Sequence, residues 1–207
     1  GGPVLGARPA SGVKRTWGTP TASVSDSIAR IASNDSTLLT VDFSHSATFQ
    51  MRSDELTEKL SQALSANTHV TDVTLVNCNI GQIGCESLGR ALSANGSLKN
   101  LNLEKNSINP EGASALALGL ASNKALLTIN LMNQKNCRWG DKCLDDFLTM
   151  FSTNTTLVKI LWRLESRKSF ALNKMITRNN EIERRKKCNM PYNDLLPSSL
   201  QDPNAPP

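Results

Sequence analysis

The chain has 207 residues and a net charge of +5, and although 39% of its residues are hydrophobic, only 4% are aromatic. This length predicts one domain with flanking segments, whose core must be built from leucine, isoleucine, valine and alanine. No run of about 18 apolar residues occurs, so we expect no membrane-spanning helix.

The cysteines indicate a reducing compartment. They are five in number, and no Cys-x-x-Cys pair occurs, which argues against a disulfide framework or a structural zinc site. We therefore expect free thiols and a cytoplasmic protein. The pair closest to metal-ligand spacing, Cys137 and Cys143, flanks Arg138-Trp139-Gly140 in an enlarged loop, and we expect no metal there.

The chain begins with a segment of low apolar content. Residues 1–23 are rich in glycine, proline, serine and threonine and are predicted to be disordered. The first residue is glycine and no apolar signal segment follows it, so we expect a fragment or a tagged protein. Residues 24–33 contain Ile28 and Ile31 and predict a capping helix for the repeats that follow.

A repeat occupies the middle of the chain. Asn67, Asn95, Asn123 and Asn154 lie 28, 28 and 31 residues apart, and Asn34 is an earlier, looser copy. After each asparagine comes a run of the form Leu-x-x-Leu-x-Leu, which matches the leucine-rich-repeat template. The five runs are Leu38-Val41-Phe43, Val70-Val73-Leu75, Leu98-Leu101-Leu103, Leu126-Ile129-Leu131 and Leu157-Ile160-Trp162.

Each repeat predicts a short strand followed by a helix. Alternating apolar residues at the end of each run fit one face of a strand, and apolar residues three and seven positions before each asparagine share one helical face. We expect each asparagine to end its helix with a left-handed backbone. Cys78 and Asn106 occupy the same position of the second and third repeats, three residues after Leu75 and Leu103, and we expect this position to lie in the tight turn after the strand. Five stacked units predict an α/β, right-handed leucine-rich-repeat solenoid of the ribonuclease-inhibitor type, with a parallel sheet and a C-terminal capping helix.

The pattern breaks after the fifth strand. Residues 169–187 carry apolar side chains at loosely helical spacing and predict the C-terminal capping helix. Residues 163–187 hold nine basic and three acidic residues, so the positive charge is concentrated at this end. The helix is either a cap with a solvated basic face or a cap that also contacts an acidic partner. Residues 188–207 are rich in proline and are predicted to be disordered.

The sequence contains no recognisable catalytic or cofactor-binding pattern, so we predict that the protein is not an enzyme and binds no cofactor or metal. His45 and His69 are the only histidines, and neither belongs to a nucleophile arrangement of known spacing. No phosphate-binding glycine loop occurs, and no aromatic platform or reading motif accompanies the basic end. We therefore expect no nucleic acid and no membrane as a partner.

The irregular repeat lengths and the last helix resemble one family. The solenoid opens with the sequence Ile31–Asp35, its fourth repeat is longer, and it ends in an asparagine-rich, then basic helix at residues 173–187. In these features residues 24–187 resemble the C-terminal leucine-rich-repeat domain of tropomodulins and leiomodins, the actin pointed-end proteins. The resemblance implies a cytoskeletal protein that caps actin filaments at the pointed end or helps to nucleate them. The tropomyosin-binding helices of that family precede this domain and are not found in residues 1–23, so tropomyosin would be bound by regions outside this chain.

The resemblance also implies which residues contact actin. In the family, contacts come from the ridge of loops just after the strands and from the C-terminal helix. The matching ridge and strand positions are Val76, Asn77, Ser107, Val158, Lys159 and Trp162, and the basic positions toward and along the helix are Arg163, Lys174, Arg178, Arg184 and Arg185. The family tends to have a bulky apolar residue where this chain has Ser107, which weakens the implied contact at that position.

Two other functions remain open from the residues alone. Polar positions on the concave strands, among them Asn100 and Asn102, would suit a scaffold that binds another protein through that face. Arg138 is the one candidate for an arginine that stimulates GTP hydrolysis, an activity that similar repeats can support. The concave positions carry no strong charge of either sign, so they do not indicate a particular partner.

Overall fold

The computed structural model describes residues 23–135 and 138–204, so residues 1–22 of the N-terminal segment lie outside the described residues. The described part contains five strands, β1 (Thr40–Asp42), β2 (Asp72–Thr74), β3 (Asn100–Asn102), β4 (Thr128–Asn130) and β5 (Lys159–Leu161). The same part contains seven α-helices, α1 (Val24–Ala32), α2 (Ala47–Met51), α3 (Ser53–Ala66), α4 (Gln82–Ala94), α5 (Pro110–Ser122), α6 (Asp141–Met150) and α7 (Lys168–Lys187).

The five strands form one parallel sheet whose strand order follows the chain. The register sets the central residues of the strands opposite one another, and these are Val41, Val73, Leu101, Ile129 and Ile160. The first four are buried and the last is half-buried, while the residues beside them are more exposed in the first four strands. The predicted solenoid of strand–helix units with a parallel sheet is therefore confirmed.

The helices bury one face against the sheet. The apolar residues seven and three positions before the first full repeat asparagine, Leu60 and Leu64 of α3, are 0% and 2% exposed. Burying a leucine side chain of this kind contributes about 2 kcal/mol of transfer free energy. The two predicted caps are also present, since Ile31 of α1 and Leu172 and Ile182 of α7 are fully buried.

The repeat asparagines form a ladder of hydrogen bonds along the edge where helices lead into strands. Asn123 shows the pattern: its Oδ1 accepts hydrogen bonds from the backbone N–H groups of Ala125 (2.9 Å) and Leu126 (2.7 Å). Its Nδ2 donates to the carbonyl oxygens of Leu92 (2.6 Å) and Asn95 (3.0 Å) in the preceding repeat. Each such side chain therefore satisfies its own turn and joins that turn to the previous unit.

The backbone of these asparagines differs from the left-handed conformation that the sequence predicts. Asn67, Asn95 and Asn123 are extended, with φ of −77°, −77° and −71°, and are not left-handed. Among the repeat asparagines only the first, Asn34, has a positive φ, 55°. With the extended backbone, the side chain is buried and its amide bonds four backbone groups. An asparagine that ended the helix with a left-handed backbone would have an exposed side chain and would not make these bonds. Asn95 and Asn154 each begin an Asn-x-Ser/Thr sequence of the kind that can carry a glycan. Their side chains are buried, so these two asparagines serve the fold.

A second asparagine spans the turns that leave the strands. The buried side chain of Asn106 accepts from the N–H groups of Cys78 (2.9 Å) and Ile80 (3.1 Å) and donates to the carbonyl oxygens of Leu75 (2.8 Å) and Leu103 (2.9 Å). The predicted place of this slot in the tight turn is confirmed. Burial raises the pKa of the Cys78 thiol to about 12, so this buried thiol stays protonated.

Helices α4 and α5 approach more closely than side chains would allow. A Cβ atom added to Gly119 would lie 2.0 Å from the carbonyl oxygen of Gly89, and one added to Gly89 would lie 2.5 Å from the carbonyl oxygen of Ala115. The two helix backbones therefore pack directly on each other at this crossing. Both positions need glycine for space.

Residues 188–204 follow α7 and belong to the segment whose proline content predicts disorder. They form two short 3-10 helices, Asn193–Leu195 and Ser198–Leu200. The side chain of Asn193 bonds the backbone of Asp202 in both directions, at 2.9 and 2.8 Å. Arg185 of α7 holds the carboxylate of Asp194 at 2.8 Å. Local hydrogen bonds thus connect parts of this segment to one another, and the ion pair between Arg185 and Asp194 connects it to the end of α7.

Candidate protein-binding surface

The loops after the strands form a ridge along one edge of the sheet, because parallel strands end at the same edge. Val76 and Asn77 lie in the loop after β2, Ser107 lies in the loop after β3, and Trp162 directly follows β5. All four are half-buried, so each side chain is partly open to solvent. The structure therefore places these four predicted residues on one edge, in the second, third and fifth units of the solenoid.

Hydrogen bonds between neighbouring loops stiffen this ridge. The N–H of Asn77 donates to the carbonyl oxygen of Glu104, and the N–H of Lys105 donates to that of Met132, both at 3.0 Å. Asn77 and Lys105 also have left-handed backbone, with φ of 54° and 57°, so the corresponding turn recurs in successive units. A surface built from bonded loops is presented as one unit, and less ordering entropy is lost when a partner binds it.

Val158 and Lys159 do not belong to the ridge. Lys159 begins β5 and Val158 precedes it, so both lie at the opposite edge of the sheet from Trp162. Four residue-to-residue steps of extended chain lead from Val158 to Trp162, a distance of about 13 Å. The carbonyl oxygen of Val158 accepts a hydrogen bond from Nδ2 of Asn180 in α7 at 2.8 Å. The structure therefore places these two residues at the start of β5 and not in the loop after it, and their contact with actin stays a prediction.

Two apolar side chains on the ridge side were not identified from the sequence. Met51 at the end of α2 is 85% exposed, and Ile83 in the first turn of α4 is 59% exposed. Met51 ends α2 just before the start of α3, and Ile83 lies at the start of α4, so both are near the edge at which the strands end. Gln50, the neighbour of Met51, donates to the carbonyl oxygen of Asn77 at 2.7 Å, which ties this position to the ridge. The sequence signal for these two residues is their position in the helical repeat, since neither lies on the helix face that carries the buried apolar residues.

An aromatic cluster fixes Trp162. Its ring centroid lies 4.8 Å from that of Phe147 in an edge-to-face arrangement and 6.0 Å from that of Trp139. Phe147 is fully buried in α6, whereas Trp139 belongs to the enlarged loop before that helix. Trp162 is therefore a preformed aromatic contact at the end of the ridge, of the kind that often anchors protein interfaces.

Arg178 has a structural role in α7. Its Nη2 donates to the carbonyl oxygens of Phe151 (2.9 Å) and Asn154 (3.0 Å). Asn154 donates to the equivalent pair one repeat earlier, the carbonyl oxygens of Leu120 and Asn123. The Arg178 guanidinium thus makes the two hydrogen bonds that the asparagine of a further repeat would make. It is half-buried, and the loss of hydration lowers its pKa.

Replacing Arg178 with alanine should lower the free energy of unfolding by about 2 kcal/mol, because two carbonyl oxygens lose a charged donor. Urea denaturation followed by circular dichroism measures the change. Arg184→Ala is the matched control: its side chain is exposed and bonds mainly to Glu181, so its effect should stay within about 0.5 kcal/mol. Equal stability of the two variants would mean that Arg178 does not complete the ladder.

The remaining predicted basic residues differ in how far their charges are paired with carboxylates. Arg184 and Arg185 both bond the carboxylate of Glu181, and these hydrogen bonds lower the pKa of Glu181 to about 2. Arg185 is further engaged by the tail through Asp194. Lys174 and Arg163 are exposed and have no ion pair within residues 23–135 and 138–204. Among these predicted basic residues of the loop after β5 and of α7, the accessible positive charge therefore comes mainly from Arg163, Lys174 and Arg184.

The concave face provides little support for the scaffold hypothesis. Nδ2 of Asn100 donates to the carboxylate of Asp72 at 2.7 Å, and Oδ1 of Asn102 accepts from the N–H of Glu104 at 3.0 Å. These polar side chains are bonded to neighbouring residues of the sheet and its loops. No feature of this face selects a partner.

Within the two described stretches, no group of three or more histidine, cysteine, aspartate or glutamate side chains is placed to hold a metal ion. Cys137, one of the pair considered for metal binding, lies outside them. None of the helices in those stretches is both long and apolar enough to cross a membrane. His45 contacts Nδ2 of Asn77 through its Nδ1 at 3.2 Å, as part of a loop-to-loop contact on the ridge.

Comparison with known proteins identifies similar domains. The family model of the TMOD/LMOD leucine-rich domain matches residues 21–182. A solved structure of leiomodin-1 actin-binding site 2 is similar with a TM-score of 0.72 and 24% identity, covering 79% of this chain and 92% of that one. The tropomodulin C-terminal domain of Caenorhabditis elegans has a TM-score of 0.72 and 21% identity, covering 80% and 98%. No curated protein sequence matches the chain.

Proposed function

The chain belongs to the tropomodulin and leiomodin leucine-rich domain family, and on that premise we propose that it is an actin-binding module that caps actin filaments at the pointed end or helps to nucleate them. Family membership is the observation that carries the proposal. The leiomodin domain with a similar fold is itself an actin-binding site. We assign the module to residues 24–187, with 1–23 and 188–207 as flanking segments, and place its action in the cytoplasm, on the cytoskeleton.

The chemistry of the ridge and of α7 supports this proposal. The ridge side offers the exposed apolar residues Met51 and Ile83 and the fixed aromatic ring of Trp162. The other end offers the accessible positive charges of Lys174 and Arg184. Actin has an acidic surface, so charge would steer the encounter while apolar contacts hold the complex. The module therefore acts by binding and not by catalysis, and tropomyosin would be bound by regions outside this chain.

The test is the elongation of pyrene-actin from seeds whose barbed ends are blocked. The chain should slow elongation at high micromolar concentration, because a single domain binds more weakly than a protein with several sites. The double variant Lys174→Glu/Arg184→Glu should require about tenfold more protein for the same effect.

A matched control uses the same change in charge on the convex helices. Lys59→Glu/Arg90→Glu alters two exposed side chains of α3 and α4, away from the ridge, and should slow elongation as the unmodified chain does. Absence of any slowing by the unmodified chain would count against pointed-end binding. Equal weakening by both double variants would show that the effect follows net charge and not this surface.

A further inference from the structure

A cleft opens between the enlarged loop of the fourth repeat and the loop after β5. It has a volume of about 500 Å³, and its walls include Arg138 and Trp139 on one side and Arg163, Leu164 and Ser166 on the other. The cleft lies beside Trp162, at the end of the ridge. It is therefore continuous with the surface proposed above.

The arginines at this cleft differ from the others in the described residues. Arg30, Arg90, Arg184 and Arg185 hold carboxylates at 2.7 to 3.1 Å, Arg52 is paired with Glu55, and Arg178 bonds backbone carbonyls. Only Arg138, Arg163 and Arg167 have neither an ion pair nor a hydrogen bond from their guanidinium groups within residues 23–135 and 138–204. Two of them line the cleft, and Arg167 follows the lining residue Ser166.

Three of the residues that line the cleft are apolar, and they are Trp139, Leu144 and Leu164. Leu144 is fully buried, Trp139 and Leu164 are partly buried against the core, and Trp139 also packs against Trp162. A guanidinium group binds a carboxylate through two parallel hydrogen bonds that it donates, and it does so more strongly where apolar neighbours reduce competition from water. A ligand that carries both carboxylates and an apolar side chain would therefore match the two guanidinium groups and the apolar part of the lining.

The net charge of the walls favours carboxylates over a polyphosphate. Arg138 and Arg163 contribute two positive charges, and Glu165, which also lines the cleft, contributes one negative charge. The nearby Lys168 is already paired with Asp145 at 2.7 Å. A densely charged phosphate ligand would meet the Glu165 carboxylate with too few cations to offset it, whereas a short acidic segment can direct its carboxylates to the two arginines.

We propose that this cleft binds an acidic segment of a partner protein, in which two carboxylates contact Arg138 and Arg163 and an apolar side chain contacts Trp139. The inference deepens the proposed function and rests on it for the protein that supplies the segment. It adds a recognition site in the fourth-repeat loop to the ridge and α7.

The chemistry of the cleft can be tested with a peptide. In a Trp17→Phe chain the remaining tryptophans are Trp139 and Trp162, so their fluorescence reports on the cleft. An acetylated Glu-Leu-Glu-Glu amide should change this fluorescence in a saturable way at low ionic strength. Arg138→Gln/Arg163→Gln should weaken its binding at least about tenfold, as expected when two charged hydrogen-bonding groups are lost.

Three comparisons decide the result. Arg30→Gln/Arg90→Gln removes the same charge on the convex side and should bind the peptide as the parent does, while Gln-Leu-Gln-Gln amide should not bind. Equal binding by the cleft variant, or by the neutral peptide, would overturn the proposal. So would inorganic phosphate that binds as tightly as the peptide and depends on the same arginines, because the site would then be an anion site for phosphate.

The failure of this proposal is distinguishable from that of the proposed function. If the peptide binds through both arginines but the chain does not slow actin elongation, actin is the wrong partner and the cleft is still an acidic-segment site. If Arg138→Gln/Arg163→Gln slows elongation as well as the unmodified chain does, the inferred contact with actin through the cleft is wrong.

Discussion

Gly119→Ala should lower the free energy of unfolding by about 3 kcal/mol, the upper end of what overpacking usually costs. The added methyl carbon would lie 2.0 Å from the carbonyl oxygen of Gly89, which is backbone and cannot rotate away. Helices α4 and α5 would have to separate, and each is packed against the sheet and a further helix. Denaturation in urea, with the midpoint and slope both recorded, measures the loss.

Gly96→Ala is the control for this prediction. Gly96 lies in the turn after α4, and a Cβ there would have no heavy atom within 4 Å. Its φ is not positive, so alanine is accommodated and the effect should stay within about 0.5 kcal/mol. Similar losses for the two variants would show that the helix crossing is not the cause.

Asn123→Ala should also lower the free energy of unfolding by about 3 kcal/mol. The change leaves the buried N–H groups of Ala125 and Leu126 without their acceptor, and the carbonyl oxygens of Leu92 and Asn95 without a donor. Each unsatisfied buried group costs about 1 kcal/mol or more, and part of that cost is recovered when the turn relaxes. Thermal and urea denaturation should agree on the loss.

Asn123→Asp separates the donor from the acceptor. Aspartate keeps the oxygen that accepts from the turn, but its ionised form sets a second oxygen against two carbonyls. The folded-state pKa of this aspartate should therefore lie above its unfolded value of about 3.9. Because folding then favours the protonated form, the deficit relative to Asn123 should be smaller below about pH 4 than at neutral pH. An exposed asparagine of α7 provides the control, and Asn173→Ala should be nearly neutral at every pH.

The solenoid could be predicted because its repeats are encoded locally. Apolar spacing of two residues in the strands and of three and four in the helices fixes which side chains face the core, and the structure buries residues such as Leu60 and Leu101 accordingly. The asparagine geometry could not be obtained in this way. An asparagine after a helix suits either a left-handed end or an extended turn, and only the position of the neighbouring repeat decides which groups its amide can reach.

The binding residues could be predicted only in part, for two physical reasons. Sequence reveals a charge but not its partner, so it does not show that the Arg178 guanidinium bonds the carbonyl oxygens of Phe151 and Asn154. Sequence also leaves the ends of a strand uncertain, so it does not show that β5 lies between Val158 and Trp162.

The curvature of the molecule depends on the glycine pair in α4 and α5. Strands stack about 4.8 Å apart, whereas packed helices stand about 8–10 Å apart, so a row of strand–helix units bends around its sheet. Direct contact between the backbones of Gly89 and Gly119 shortens the outer arc between the units of β2 and β3. The bend there is gentler than larger side chains would give, so the loops of these two units, which carry Asn77 and Ser107, diverge less in direction. Gly89 and Gly119, which lie between two helices on the far side of the sheet, thus help to determine how flat a partner surface the loops can contact.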